Sequence, residues 1–185
     1  MERSKLLTCL WEFQNSDGFI SDKAISEISQ KLKVSKIEIE GVVTFYHFFH
    51  RQPTGKYIIY LNNSIISELK GFSEVKAAFE KETNCTCNQN SNNALFSIFE
   101  TPCIGLSDQE PAALINFYPF TNLTPFKVEK IIKQLKNGAD LKTISSKFES
   151  KIQFTPSDDK TVFFKPYKMG SAIKKLKKSS SKTIL

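Results

Sequence analysis

The sequence predicts a mixed α/β (α+β) chain in which a helical module, residues 1–52, precedes a β-α-β-β-α unit, residues 53–138, and a C-terminal extension, residues 139–185. Three observations carry this. Apolar residues recur at helical spacing through the first fifty positions, with Ser and Gly at the expected ends. Pro53-Thr54-Gly55 then breaks that period, and the β-rich run Lys56–Leu61 follows. Finally, two short apolar runs flank the loop Thr101–Pro111, and a further helical stripe starts at Thr124-Pro125.

The elements follow in order. Ser4–Asn15 places Leu6, Leu7, Leu10, Trp11 and Phe13 toward one side of a helix, which Asp17-Gly18 stops. Ser21-Asp22 caps a second helix through Lys31, with Ile25, Ile28 and Leu32 inward, and Ser35 caps a third that contains Ile37, Ile39, Val42 and Val43. The dense cluster Phe45-Tyr46-His47-Phe48-Phe49 closes the module. After the strand Lys56–Leu61 and the turn Asn62-Asn63-Ser64, residues Ile65–Glu82 read as one helix packed through Ile65, Ile66, Leu69, Val75, Ala78 and Phe79. Asn84–Asn93 is polar and reads as a loop. Ala94–Phe99 and Ala112–Ile115 read as strands, and Asn116–Pro119 as a continuation or a turn. The last helix of the unit has Pro125 at the tolerated first position, an apolar stripe of Val128, Ile131, Ile132 and Leu135, and a stop at Asn137-Gly138. Leu141–Phe148 suits one more short helix. A parallel βαβ start closed by an antiparallel pair resembles a thioredoxin-like sandwich.

The loop Thr101-Pro-Cys-Ile-Gly-Leu-Ser-Asp-Gln-Glu-Pro111 is the stretch around which the chain is organised. Pro fixes φ and Gly permits positive φ, so this loop has a defined shape, and a shaped loop holding a Cys is where a cofactor is sought. The totals narrow the possibilities. The net charge is +7, yet eight Lys and no acid lie from Lys160 onward. Without them 18 basic residues face 19 acidic ones, so the body is near neutral and the basicity belongs to a Lys/Ser tail. The end of that stretch, the Lys/Ser run Ile173–Leu185, holds no Arg and no interleaved aromatics, which argues for a solvated arm over a nucleic-acid or lipid contact. No signal peptide and no membrane-spanning run is evident, so the expectation is a cytoplasmic, reducing setting without disulfides. No nucleophile–base pair, Gly-rich phosphate loop or metal set that would sustain catalysis stands in the sequence.

Gly41-Val-Val-Thr-Phe-Tyr46, Pro53-Thr-Gly-Lys56 and Asn122-Leu-Thr-Pro125 resemble the thioredoxin-like 2Fe-2S subunit of respiratory complex I, over residues 5–138. The resemblance implies a thioredoxin-like 2Fe-2S ferredoxin fold whose four cluster positions fall on Asn62, Ser67, Cys103 and Ser107. Only Cys103 is a thiol, whereas such a cluster is normally held by four thiolates. Phe45-Tyr-His-Phe-Phe49, Gly55-Lys-Tyr57, Ile59-Tyr-Leu61 and the string Thr101–Ala112 are similar to the N-terminal domain of the diaphorase subunit of soluble NAD-reducing nickel-iron hydrogenases, and Thr161-Val-Phe-Phe164 to the segment that follows there. The resemblance stops ahead of the flavin- and NAD-binding region, so FMN and NAD are expected on a partner flavoprotein.

The expectation is therefore a non-catalytic, cluster-less component of an NAD(P)-linked oxidoreductase complex, with a diaphorase flavoprotein and iron–sulfur subunits of a hydrogenase or NADH dehydrogenase-like complex as partners, and neither nucleic acid nor a membrane span. Phe45, Tyr46, His47, Phe48 and Phe49 form the candidate partner face, because one helical side cannot bury all five. An alternative is an electron-transfer protein holding a 2Fe-2S cluster through Cys103 and non-standard ligands, or across a dimer. Cys85-Thr-Cys87 is one residue short of the thioredoxin-type spacing and lacks a second Cys pair for a zinc set, so a loop role is favoured. For His47 and His50, interface or core packing is favoured over a catalytic or ligand role.

Overall fold

The computed structural model describes residues 3–90 and 95–148. After a 3₁₀ turn at Arg3–Lys5, helix α1 spans Leu6–Asp17 and ends at Gly18, whose φ of +80° only Gly adopts cheaply. Helix α2, Asp22–Leu32, begins where the Ser21 side chain accepts from the Ala24 N–H at 3.1 Å. Helix α3, Lys36–Phe45, begins where Ser35 accepts from the Glu38 N–H at 3.2 Å. Both are N-caps that satisfy an otherwise orphaned donor. The module closes over Leu6, Leu10, Ile20, Ile25, Ile28, Leu32, Ile39, Val43 and Phe49.

The sheet has the order β2-β3-β1-β4-β5. Strand β1, Tyr57–Asn62, lies at its centre, parallel to β3, Phe96–Thr101, and antiparallel to β4, Ala113–Ile115. Strand β5, Tyr118–Phe120, extends the sheet beyond β4, and β2, Gln89–Asn90, pairs antiparallel with β3 at the opposite edge. Gly55 leads into β1 against the backbone of Phe96, where a Cβ would come within 2.7 Å of a carbonyl carbon. Close approach, rather than turn geometry, is what demands Gly there.

One face of the sheet, carrying Tyr57, Ile59, Leu61, Phe96 and Ile98, packs on α5, Phe72–Thr83, and α6, Pro125–Lys136. The other carries Tyr60, whose ring meets Phe48 at 5.0 Å and Phe99 at 6.0 Å. Burial on both faces explains why β1 and β3 read as continuous apolar runs instead of alternating ones. The last helix among the described residues, α7, Leu141–Phe148, seats Ile144 in the core and donates from Ser145 Oγ to Pro119 O at 2.9 Å.

Two expectations need correction. The helix expected over Ile65–Glu82 is broken at Gly71, φ +92°, into α4, Ile65–Leu69, and α5. Helix α4 is too short to lay its apolar residues on the core, and Ile65 and Leu69 are 79% and 83% exposed rather than packed. The loop expected over Asn84–Asn93 contains β2, because an edge strand pairs through its backbone and needs no apolar pattern. At Asn116–Pro119 the chain makes a two-residue hairpin turn on Asn116 and Phe117, both at positive φ, a geometry whose twist suits antiparallel neighbours. The C-terminal extension from residue 149, with its Lys/Ser tail and Thr161-Val-Phe-Phe164, lies outside the described residues.

Candidate functional site

The parallel strands β1 and β3 end side by side, with Asn62 in register with Thr101 and the Asn63 N–H donating to Thr101 O at 3.1 Å. The four positions that the resemblance assigns to a cluster lie at the end of β1 (Asn62), in the short helix Ile65–Leu69 that follows it (Ser67), and in the segment leaving β3 (Cys103 and Ser107). Asn62 is fully buried, and its Oδ1 accepts from the Ser64 N–H at 3.2 Å while its amide nitrogen donates to a carboxylate oxygen of Glu110. The second oxygen of Glu110 accepts from the Ala112 N–H at 2.7 Å, and this side chain is only 3% exposed. Ser64 in turn caps α4 by accepting from the Ser67 N–H at 3.3 Å. A continuous polar network thus joins the end of β1, the start of α4 and the entry to β4.

Ser67 and Thr101 are buried beside this network, and neither hydroxyl finds a hydrogen-bond partner among the described residues. Cys103 lies apart, exposed, its sulfur accepting from the Gly105 N–H at 3.4 Å. Ser107 opens a 3₁₀ turn, Ser107–Gln109, which Lys70 Nζ ties to the end of α4 by donating to Asp108 O at 3.4 Å. The fold therefore brings Asn62 and Ser67 together inside, and leaves Cys103 at the surface. Glu110 and Thr101 are the residues sequence reasoning passed over. Both stand in the loop it singled out, but nothing local marks a carboxylate three residues past Ser107 as buried.

The aromatic run divides. Phe45 is 71% exposed and Tyr46 40%, and His47 is exposed as well. Phe48 is half-buried between Tyr60 and Phe117, while Phe49 packs on Trp11 at 5.0 Å inside the helical module. Phe49 is thus core and unavailable to a partner. Phe117 and Tyr118 of the hairpin, 49% and 37% exposed, stand beside the same aromatic face, with the Phe117 ring in contact with Trp11 and Phe48.

His50 packs between rings, with Phe99 at 4.5 Å, and its Nε2 lies 2.7 Å from the Tyr60 hydroxyl. Burial pushes the imidazole down to about 4 and the Tyr60 phenol upward, so both are neutral packing groups. Cys85 is buried and Cys87 half-buried; burial, then the negative charge of Glu100, pushes the Cys87 thiol up to about 12. Thiols held protonated are poor nucleophiles and poor metal ligands.

A family profile described as thioredoxin-like 2Fe-2S ferredoxin matches residues 1–136. The chain belongs to this family. It is 44% identical over 137 residues to the alpha subunit of the NAD-reducing hydrogenase HoxS of Cupriavidus necator, covering 74% of this chain and 23% of that subunit. It is 32% identical over 126 residues to a NADH-quinone oxidoreductase subunit of Buchnera aphidicola, covering 68% of this chain and 74% of that one. The crystal structure of an air-oxidised NAD⁺-reducing NiFe-hydrogenase superposes with a TM-score of 0.67 at 24% identity, over 78% of this chain and 25% of that chain. The chain thus spans about a quarter of the hydrogenase subunit it matches and about three quarters of the quinone oxidoreductase subunit.

For a thioredoxin-like 2Fe-2S ferredoxin, the donor set here is a poor match. One thiol, one amide and two hydroxyls stand at the four positions that the resemblance assigns to the cluster, and four thiolates normally hold such irons. Amide and hydroxyl oxygens are hard donors, unsuited to a centre that selects soft sulfur. Asn62 has also committed its amide nitrogen to Glu110 and its oxygen to Ser64. Among the described residues no three His, Cys, Asp or Glu side chains are grouped to hold a metal ion, and no helix is long and apolar enough to cross a membrane.

Proposed function

We propose that this chain is a cluster-less, non-catalytic domain of an NAD(P)-linked oxidoreductase assembly, docking on a flavoprotein partner that carries FMN and NAD. The observation that supports the reading is the hydrogen bond from the buried Asn62 amide to the buried Glu110 carboxylate, at a position that the resemblance assigns to the cluster. The names of the relatives, a NAD-reducing hydrogenase subunit and a NADH-quinone oxidoreductase subunit, support the kind of assembly. The domain works by shape: it excludes water from the partner's redox groups and fixes their surroundings, since burial and hydrogen bonding tune a buried centre's potential.

The docking face is the exposed part of the aromatic network, Phe45, Tyr46, His47 and the outer edge of Phe48, continued by Phe117 and Tyr118. Aromatic residues enrich interface cores because they bury much area for few rotatable bonds. Purification of the tagged full chain from its own cells, followed by flavin fluorescence and mass spectrometry of whatever is retained, tests the partner. Recovery of a flavoprotein with bound FMN supports the reading, and recovery of the chain alone at native abundance contradicts it.

A further inference from the structure

Glu110 is a carboxylate almost wholly removed from water, in a loop where Asp108, two residues before it, is exposed. Its two oxygens face two different strands: one takes the Asn62 amide from the end of β1, the other the Ala112 N–H at the entry to β4. Through Asn62 Oδ1 and the Ser64 N–H the same link reaches the start of α4. A cluster at Asn62, Ser67, Cys103 and Ser107 would have bridged these same loops. A buried carboxylate next to that position also has an electrostatic consequence. A two-iron centre in four thiolates is itself anionic, and like charges in a low-dielectric site repel strongly.

We infer that Glu110 does the cluster's structural work and also excludes the cluster: it cross-links the loop ends in iron's place, and its charge keeps an iron–sulfur centre from forming there. This rests on the cluster-less reading above and adds the residue responsible. Among the described residues the buried hydroxyl of Ser67, one of the positions assigned to the cluster, finds no hydrogen-bond partner, as expected where a single carboxylate replaces a larger set of donors.

The test restores the thiols in the full chain and varies Glu110 alone. The variant N62C/S67C/S107C, which keeps Cys103, is reconstituted anaerobically with ferrous iron and sulfide, with and without Glu110→Gln. With Glu110 present, the chain is expected to take up roughly tenfold less cluster than the form that also carries Glu110→Gln, a ratio equivalent to about 1.4 kcal/mol of repulsion. Equal uptake by the two, whether full or nil, overturns the exclusion. The second measurement needs no thiol variant. In the otherwise unaltered chain Glu110→Ala is expected to lower Tm by about 3–10 °C, because the Asn62 amide is left buried without an acceptor, and Glu110→Gln by less. Identical melting of the unaltered, Ala and Gln chains overturns the cross-link. Stoichiometric iron in the unaltered chain as isolated would instead overturn the cluster-less reading beneath both.

Discussion

His50 offers a prediction whose size follows from its surroundings. Its ring is 7% exposed, stacked 4.5 Å from Phe99 and 2.7 Å from the Tyr60 hydroxyl, and burial lowers its pKa from 6.5 to about 4. The folded state therefore holds the neutral ring down to about pH 4, while the unfolded chain takes up its proton near pH 6.5. In that window the unfolded state binds more protons, so stability rises with pH and falls as the solution is acidified. At pH 5 the loss relative to pH 8 is about 2 kcal/mol, growing toward a ceiling of about 3 kcal/mol below pH 4. For a chain of this size that is a fall in Tm of about 4–8 °C at pH 5. The assay is urea unfolding between pH 8 and pH 4.5 for the native chain and for His50→Gln, which cannot charge. The carboxylates titrate equally in both and cancel in the difference. The native chain is expected to lose about 2 kcal/mol more than the variant between pH 8 and pH 5. Parallel stability curves would refute the burial argument.

Other sites yield shorter predictions. Gly55→Ala drives a Cβ to 2.7 Å from the Phe96 backbone, which has no side chain to swing aside, and is expected to destabilise by about 1–3 kcal/mol in urea unfolding. Limited alkylation followed by peptide mass spectrometry should label the exposed Cys103 well ahead of Cys85 and Cys87, whose thiols burial keeps protonated. Rapid labelling of Cys87 would contradict its environment. Phe45→Ala should leave Tm within about 2 °C, as for an exposed side chain, yet reduce recovery of the flavoprotein partner in a pull-down.

Much of the fold was legible because its signals are local. Ser21, Ser35 and Thr124 cap helices as their positions suggest, and Gly18 ends α1 at positive φ. What escaped depends on partners distant in sequence. Gly71 sits inside a run whose apolar residues kept helical spacing, so the break and the exposure of Ile65 and Leu69 show only once β1 and α5 are placed. Gln89 and Asn90 form a strand by backbone pairing with Ile98 and Ser97 alone. Phe117 occupies a left-handed conformation no rule assigns to Phe, and its ring lies among Trp11, Phe48 and Tyr60. For the candidate site, resemblance alone assigns Asn62, Ser67, Cys103 and Ser107, whereas the burial of Glu110 arises from a contact 48 residues away, and in sequence it reads as one more loop carboxylate.

Whether this thioredoxin-like scaffold stands without iron is decided by direct chemical analysis. Iron and acid-labile sulfide are to be measured on the full chain purified under strict anaerobiosis, together with the electron paramagnetic resonance spectrum after dithionite reduction. A folded, colourless protein is expected, with neither element at stoichiometric level and no signal from a reduced two-iron centre. Two irons and two sulfides per chain with that signal, from protein never exposed to added iron, would contradict that expectation.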